Sequence, residues 1–484
     1  LERDSARRRE AMSYWQQACE MDPTNVDYLQ AYARCARARG DIKKNVQVLE
    51  KIIALVPDHY DVLGHLLWMV NYLPNYDRAD LCDLAKHWAQ EYALGVKRLP
   101  SFDICLSSTK QLRIGIVSGD FLNNSPFAFY ESSLMAMNRE ACALYAYSNV
   151  DTPNEGTERF KAMFDVFRDI HDMSDDEAAT QIRRDGIDIL IAFGGRCKGH
   201  RLGVFAEKPA PIQVDWGALS TLGFPQIEYR ITDDVLDPPD MQPYHTEELV
   251  YLPGGFAIYQ PPRESPPMVA PPAQANGYVT FGSFNNHLKI NDLVLDLWSQ
   301  ILQRIPQSRM VIKSPGLHDP GARRYFLERF EKRGIDAKRI SLCARTEYYD
   351  HLCLLGQVDL LLDTYPFNGY RTTLEGLWMG VPTVILSGTT FVSRMGLAIM
   401  RQLGWDAAFV AQTPQAYIDR ACAYAGQLNE LARIRTVLRG LLLSSSLCDP
   451  ARYARSLEEA FRYMWQQRCD GQTHAQTEDT ASIR

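Results

Sequence analysis

The stretch Val358-Asp359-Leu360-Leu361-Leu362-Asp363-Thr364-Tyr365-Pro366-Phe367-Asn368-Gly369-Tyr370-Arg371-Thr372-Thr373-Leu374-Glu375-Gly376-Leu377-Trp378 decides how this chain is read. Val358–Leu362 is a short apolar run of the kind that forms a strand buried on both faces. Asn368-Gly369 reads as a turn with positive φ, and Tyr370 to Thr373 opens a helix. Strand, polar turn and helix start form the repeating unit of parallel α/β sheets, whose ligands bind beyond the carboxyl ends of the strands. Backbone N–H groups and hydroxyls at a helix start suit a phosphate. Asn368, Gly369, Tyr370, Arg371, Thr372 and Thr373 are therefore candidates for an anion, and Glu375, in the first turn, for the hydroxyls of a ribose. The same residues equally describe an ordinary cap, with Thr372 as cap and Glu375 closing its box.

The alternation extends on both sides. Tyr278–Phe281, Met310–Ile312, Ile340–Leu342, Leu360–Leu362 and Thr383–Leu386 read as buried parallel strands, with helices such as Asp292–Ile305 and Gly321–Arg333 between them. Upstream, Leu112–Val117, Asp188–Ala192 and Ile212–Val214 belong to a second alternation. The proline-rich Gln260-Pro261-Pro262, Pro266-Pro267 and Pro271-Pro272 between them fit neither helix nor central strand, and read as a linker. Two doubly wound domains facing each other across a cleft are expected. The first hundred residues are helical instead. Tyr14, Trp15, Ala18 and Met21 recur as Val48, Leu49, Ile52 and Leu55 at an offset of 34, as do Pro23 and Pro57, and Leu29 and Leu63. That period closing on proline marks a tetratricopeptide helix pair; an unrelated bundle with a chance period is the other reading. The expected domains are residues 1–108 (helical), 109–272 (first sheet) and 273–468 (second sheet with a closing helix), followed by a polar, disordered tail, 469–484.

Three more loops follow strands. Phe281-Gly282-Ser283-Phe284-Asn285-Asn286-His287-Leu288-Lys289-Ile290 offers Lys289 as a point charge for a diphosphate, or as a surface lysine near a helix start. Arg113-Ile114-Gly115-Ile116-Val117-Ser118-Gly119-Asp120-Phe121-Leu122-Asn123-Asn124 and Gly194-Gly195-Arg196-Cys197-Lys198-Gly199-His200 carry polar groups past strands of the first sheet. No Walker phosphate loop, no G-x-G-x-x-G fingerprint and no clustered metal-ligand motif is present.

Composition narrows the classes. Of 484 residues 46% are apolar and 23% charged, with a net charge of −7. A nucleic-acid binder would carry a basic excess. Eleven cysteines without a C-x-x-C pair argue against a zinc ribbon or a disulfide scaffold, and fit reduced thiols in the cytoplasm. No membrane span or signal peptide is expected. The start at Leu1 rather than Met points to a missing upstream segment.

From about Asn71 to Cys469 the chain resembles glycosyltransferase family 41, which contains the O-linked N-acetylglucosamine transferases and the SPINDLY-type protein glycosyltransferases. The resemblance runs through Asn71-Tyr72-Leu73-Pro74-Asn75-Tyr76-Asp77, Pro209-Ala210-Pro211-Ile212-Gln213, Tyr229-Arg230-Ile231-Thr232-Asp233, Phe281-Gly282-Ser283-Phe284-Asn285, Leu362-Asp363-Thr364, Met379-Gly380-Val381-Pro382 and Tyr463-Met464-Trp465. It implies an α/β fold of GT-B type, preceded by tetratricopeptide-like helices. It also implies metal-independent, inverting transfer of a sugar from a nucleotide-sugar, a UDP-sugar foremost, to a Ser or Thr hydroxyl of a protein. By position it makes Lys289 the diphosphate-binding lysine. Asn286, Thr346 and His351 fall on the nucleotide side, with Tyr370, Arg371, Thr372 and Glu375 on the phosphate and ribose segment. Asn124, Arg196, Ser220 and Thr221 fall on the acceptor side. Asn124 stands where the family usually has a histidine proposed as the base, and an asparagine takes no proton; Asp120 or His200 is then the expected base. The expected partners are a nucleotide-sugar donor and an acceptor protein held by the helical repeats and the cleft. Nucleic acid is not among them, and the oligomeric state is open. A GDP-fucose-type donor, a non-protein acceptor and a catalytically inactive repeat scaffold are the rival readings.

Overall fold

The computed structural model describes residues 8–96, 98–100, 107–123, 129–197, 199–256 and 258–481, with backbone alone for 8–10 and 471–481. Two parallel sheets carry the fold. The first holds β1 (Leu112–Ser118), β2 (Cys142–Ser148), β3 (Val166–Asp169), β4 (Ile189–Phe193), β5 (Ile212–Trp216), β6 (Tyr229–Thr232) and β7 (Glu248–Tyr251), in the order β3-β2-β1-β4-β5-β6-β7. The second holds β8 (Thr280–Ser283), β9 (Arg309–Lys313), β10 (Ile340–Cys343), β11 (Leu360–Leu362), β12 (Thr383–Leu386) and β13 (Val410–Ala411), in the order β10-β9-β8-β11-β12-β13. Every pairing is parallel. β4, β5, β8, β11 and β12 are buried at every residue, because helices cover both faces of such sheets. Both sheets follow the doubly wound order, which reverses beside the first strand: between β1 and β4, and between β8 and β11. All four polar loops singled out in the sequence leave these switch points.

The helical region repeats as expected. Helices Arg8–Met21 and Val26–Arg39 recur, 34 residues on, as Ile42–Leu55 and Tyr60–Met69. Asn25 and Asp41 cap the second and third helices, and Gly40 ends the second at φ 92°, a left-handed conformation that glycine adopts freely.

The compact units are discontinuous in sequence. One joins residues up to Arg78 with Pro261–Ser445; the other joins Ala79–Gln260 with the segment from Ser446. The first helices therefore share a unit with the second sheet rather than forming a body of their own. In that unit the ring of Tyr325 lies 4.5 Å beneath the Arg39 guanidinium. The closing helix Pro450–Ala481 belongs with the first sheet, not the second. Its Trp465 indole donates to Ser107 O (3.1 Å), Arg462 to Ser108 O and Lys110 O, and Tyr463 to Glu248. It also continues to Ala481 where the sequence suggests a disordered tail. No helix among the described residues is long and apolar enough to cross a membrane.

Candidate functional site

The second sheet's switch point gathers the loop after β8 and the loop after β11. Lys289 lies at its centre. Its ammonium donates to Asn368 O (2.7 Å) and Asn285 Oδ1 (3.3 Å), and stands 4.1 Å from the centroid of the Phe367 ring. Burial pushes its pKa down to about 8, against the attraction of Asp363. Asp363 ends the β11 run. Its Oδ1 accepts from Asn285 Nδ2 (3.0 Å), Thr364 N (2.8 Å) and Gly369 N (2.8 Å), which folds the Asp363–Gly369 loop back on itself. Its Oδ2 is buried and makes no hydrogen bond among the described residues, and burial raises the carboxyl to about 6. Tyr417 OH holds the Asp363 carbonyl at 2.9 Å. The helix Arg371–Trp378 begins at Tyr370, whose side chain makes no capping bond. Thr372 Oγ1 donates instead to Asn285 Oδ1 at 3.2 Å and Thr373 Oγ1 to Gly369 O at 3.1 Å, so the cap arrangement of Thr372 with Glu375 is absent. Gly369 does not take positive φ, contrary to expectation. It is glycine for space: a Cβ there would sit 2.6 Å from Thr372 Oγ1 and 2.7 Å from Thr373 Oγ1. The Asn368 side chain turns inward, donating to Thr364 O and Leu386 O, so this residue serves the site through its carbonyl.

Beside this socket runs a polar chain. Lys313, at the end of β9, donates from Nζ to His351 Nδ1 (2.8 Å), since an ammonium has no acceptor. The proton of His351 is therefore on Nε2, which donates to Glu375 Oε2 at 3.0 Å. Glu375 Oε1 accepts from Arg371 Nε at 2.8 Å. Burial alone would raise the Glu375 carboxyl, but His351 and Arg371 together hold it below the ordinary value. Tyr348 stacks on His351 at 6.1 Å and 13°, and Phe284 meets the imidazole edge-on at 5.5 Å. Aromatic rings and the Glu375 carboxylate thus stand next to a cation and a helix N-terminus. Thr346 and Asn286 are exposed at its rim, bonded only locally, to Glu347 O and Leu288 N.

Asn285, Asp363, Lys313, Tyr348 and Phe284 were not assigned from sequence. For Asn285, Lys313 and Asp363 the signal is available in hindsight: each is a polar residue closing or just following an apolar strand run.

At the first sheet's switch point, Asp120 leaves β1 beside the turn after β4. Its Oδ2 is 3.6 Å from where a Cβ on Gly194 (φ 81°) would stand. Burial raises its carboxyl pKa. His200 lies against the stacked pair of Trp88 (5.9 Å) and Tyr92 (6.0 Å), with Nδ1 3.5 Å from Leu202 N. Of the expected acceptor-side residues that are described, Ser220 and Thr221 are buried and Arg196 is half-buried. Arg196 donates to Thr221 O (3.1 Å) and Leu222 O (2.6 Å) and lies 4.6 Å over Trp88; burial lowers it to about 10. Thr221 is buried against Glu247 (2.6 Å), and Ser220 is buried beside it. Half-buried Arg196 thus joins buried Ser220 and Thr221 in one knot, continued by the Arg230 guanidinium between Asp215 and Asp237. Asn124 lies outside the described residues. Among the described residues no group of three or more His, Cys, Asp and Glu is arranged to hold a metal ion.

The sequence matches the model for Glycosyl transferase family 41 over residues 97–262 and 272–457. It is similar to the protein named probable UDP-N-acetylglucosamine–peptide N-acetylglucosaminyltransferase SPINDLY of Hordeum vulgare, 35% identical over 425 residues, 87% of this chain and 45% of that one. The protein of the same name from Oryza sativa subsp. japonica is 34% identical over 436 residues, 89% of this chain and 47% of that one. The chain spans about half the length of these curated relatives. Among solved structures it is similar to a mutant of the Thermobaculum terrenum O-GlcNAc transferase, with a TM-score of 0.88 and 33% identity, covering 95% of this chain and 88% of that one. The fold class expected from the sequence, Rossmann-like domains of GT-B type with a helical N-terminal region, is the one found. On the family match and these relatives, the chain belongs to glycosyl transferase family 41.

Proposed function

We propose that the chain transfers a sugar, N-acetylglucosamine from its UDP donor foremost, to serine or threonine hydroxyls of a protein, with inversion and without a metal ion. The observation that supports this is the Lys289 ammonium, held by the Asn368 carbonyl where β8 and β11 diverge, next to the start of the Arg371–Trp378 helix. In the step, the acceptor oxygen bonds to the anomeric carbon as the bond from that carbon to the diphosphate oxygen breaks. The electron pair leaves with the diphosphate, and the hydroxyl proton passes to a base. Negative charge grows on the leaving group, so a fixed cation stabilises the transition state more than the bound donor. Lys289 and the helix N-terminus take the part that a divalent ion plays in other transferases, and Glu375 takes the ribose. Asp120, whose burial favours the protonated form, is assigned the proton, with His200 the alternative. Full activity in both Asp120→Asn and His200→Ala would remove that assignment. The helical repeats present the acceptor. The cytoplasm suits described cysteines that are all free thiols.

The test is calorimetric binding of UDP, UDP-N-acetylglucosamine and GDP-fucose to wild type and to Lys289→Ala. Binding of one donor that Lys289→Ala weakens at least about tenfold is expected. Binding of none would overturn the proposal.

A further inference from the structure

The helical region touches the donor loops within one compact unit, at three points. The Tyr72 ring packs against the Phe367 ring (centroids 5.1 Å, 31° between planes), and Phe367 is the ring beneath the Lys289 ammonium. Asn291, two residues past Lys289, donates from its one amide nitrogen to both Tyr72 O (3.0 Å) and Tyr365 O (2.7 Å). The same amide's oxygen caps the helix Asp292–Arg304 through Val294 N (3.0 Å). On the other side of the loop, the His287 ring lies where a Cβ on Gly40 would be 3.1 Å from it, against the end of the Val26–Arg39 helix. Tyr72, Phe367 and Asn291 are all nine-tenths buried or more.

We propose that Tyr72 and Asn291 are positioning residues for the donor: the end of the helical region forms the back wall of the Lys289 socket and fixes the ammonium against the leaving diphosphate. Phe367 cannot keep its ring under the cation unless Tyr72 supports it. The Asn291 clamp ties the carbonyl before Leu73 to the loop that presents Phe367 and Asn368. The helical region therefore has a role in donor binding separate from any hold on an acceptor. This rests on the reading that Lys289 meets a nucleotide diphosphate.

A double-mutant cycle tests it, with UDP alone as the probe and calorimetry as the readout. Tyr72→Ala should weaken UDP about tenfold when Lys289 is present, and less than about twofold in the Lys289→Ala background, because residues that act through one group are not additive. Tyr72→Phe, which keeps the ring, should restore wild-type affinity. Asn291→Asp provides an independent arm should Tyr72→Ala fail to fold. It keeps the oxygen that caps the helix but sets a carboxylate against two carbonyls, and it should show the same dependence on Lys289. Equal losses in both Lys289 backgrounds, or unchanged UDP affinity in Tyr72→Ala and Asn291→Asp, would overturn the inference. If instead Lys289→Ala alone leaves UDP binding intact, the proposed function fails first.

Discussion

Replacing Lys289 with methionine should stabilise the empty protein while removing donor binding, and the size of the gain should depend on pH. Burial lowers this lysine from an ordinary value near 10.5 to about 8 in the fold. A group whose folded pKa lies below its unfolded one destabilises the fold in its charged form. The penalty is fully present below pH 8, where both states are protonated, is relieved as pH rises through 8 to 10.5, and is gone above 10.5, where both are neutral. At about 1.4 kcal/mol per pH unit, the difference amounts to about 3 kcal/mol at most. Methionine keeps the stem volume but takes the ammonium donor from the Asn368 carbonyl and leaves Asn285 Oδ1 with Thr372 alone, which offsets about 1–2 kcal/mol. Lys289→Met should therefore be about 1–2 kcal/mol more stable than wild type at pH 7, and less stable than wild type at pH 10.5. Burial raises the Asp363 carboxyl to about 6 against the attraction of Lys289, so the loss of that attraction in Lys289→Met raises the carboxyl further and takes a part of the gain at pH 7. Urea unfolding of both proteins at the two pH values measures the difference, and calorimetry with UDP measures the lost binding. A stability difference between the two proteins that is the same at both pH values would refute the reasoning that Lys289 is a buried, strained cation.

Gly369→Ala should destabilise by about 1–3 kcal/mol and abolish nucleotide binding, because the added methyl would displace Thr372 and Thr373; thermal unfolding and UDP calorimetry check both. Lys313→Met should weaken UDP about five- to tenfold by freeing the His351 tautomer that aims Nε2 at Glu375, with little change in unfolding midpoint. Arg196→Ala should lower stability by about 2–4 kcal/mol, stranding the Thr221 and Leu222 carbonyls, with UDP affinity unchanged in the protein that remains folded.

What the sequence showed plainly was what depends on neighbours in the chain. Buried strands read as apolar runs, and the polar residues after each run mark the end where ligands of such sheets bind, which is why Lys289, Thr372 and Glu375 stand out as candidates. The period of 34 was legible because each helix must present the same face to the next. Shorter strands were not: β3, Val166–Asp169, is only partly buried along its length, so no apolar run marks it.

The misreadings share one cause, which is that a residue type does not say which of its physical properties is in use. Gly369 could be glycine for its backbone freedom or for its missing side chain, and the two demands look identical in sequence. The structure selects the second. Arg196 has the charge that an acceptor site would want, yet spends it on two backbone carbonyls under Trp88. Asn368 has the amide that a phosphate would want, yet turns it into the core and offers Lys289 its carbonyl. For Arg196 and Asn368 the deciding contact is set by tertiary packing. The clearest instance is Asn291 with Tyr72, 219 positions apart. Tyr72 falls in the helical region and Asn291 just before the expected helix Asp292–Ile305, and nothing local to either predicts that they meet. The consequence is mechanical: a socket assembled from the end of one element class and the loops of another holds its cation only when both are folded together. The unit that holds the Lys289 socket therefore begins in the helices, well before the loop after β8 that carries Lys289.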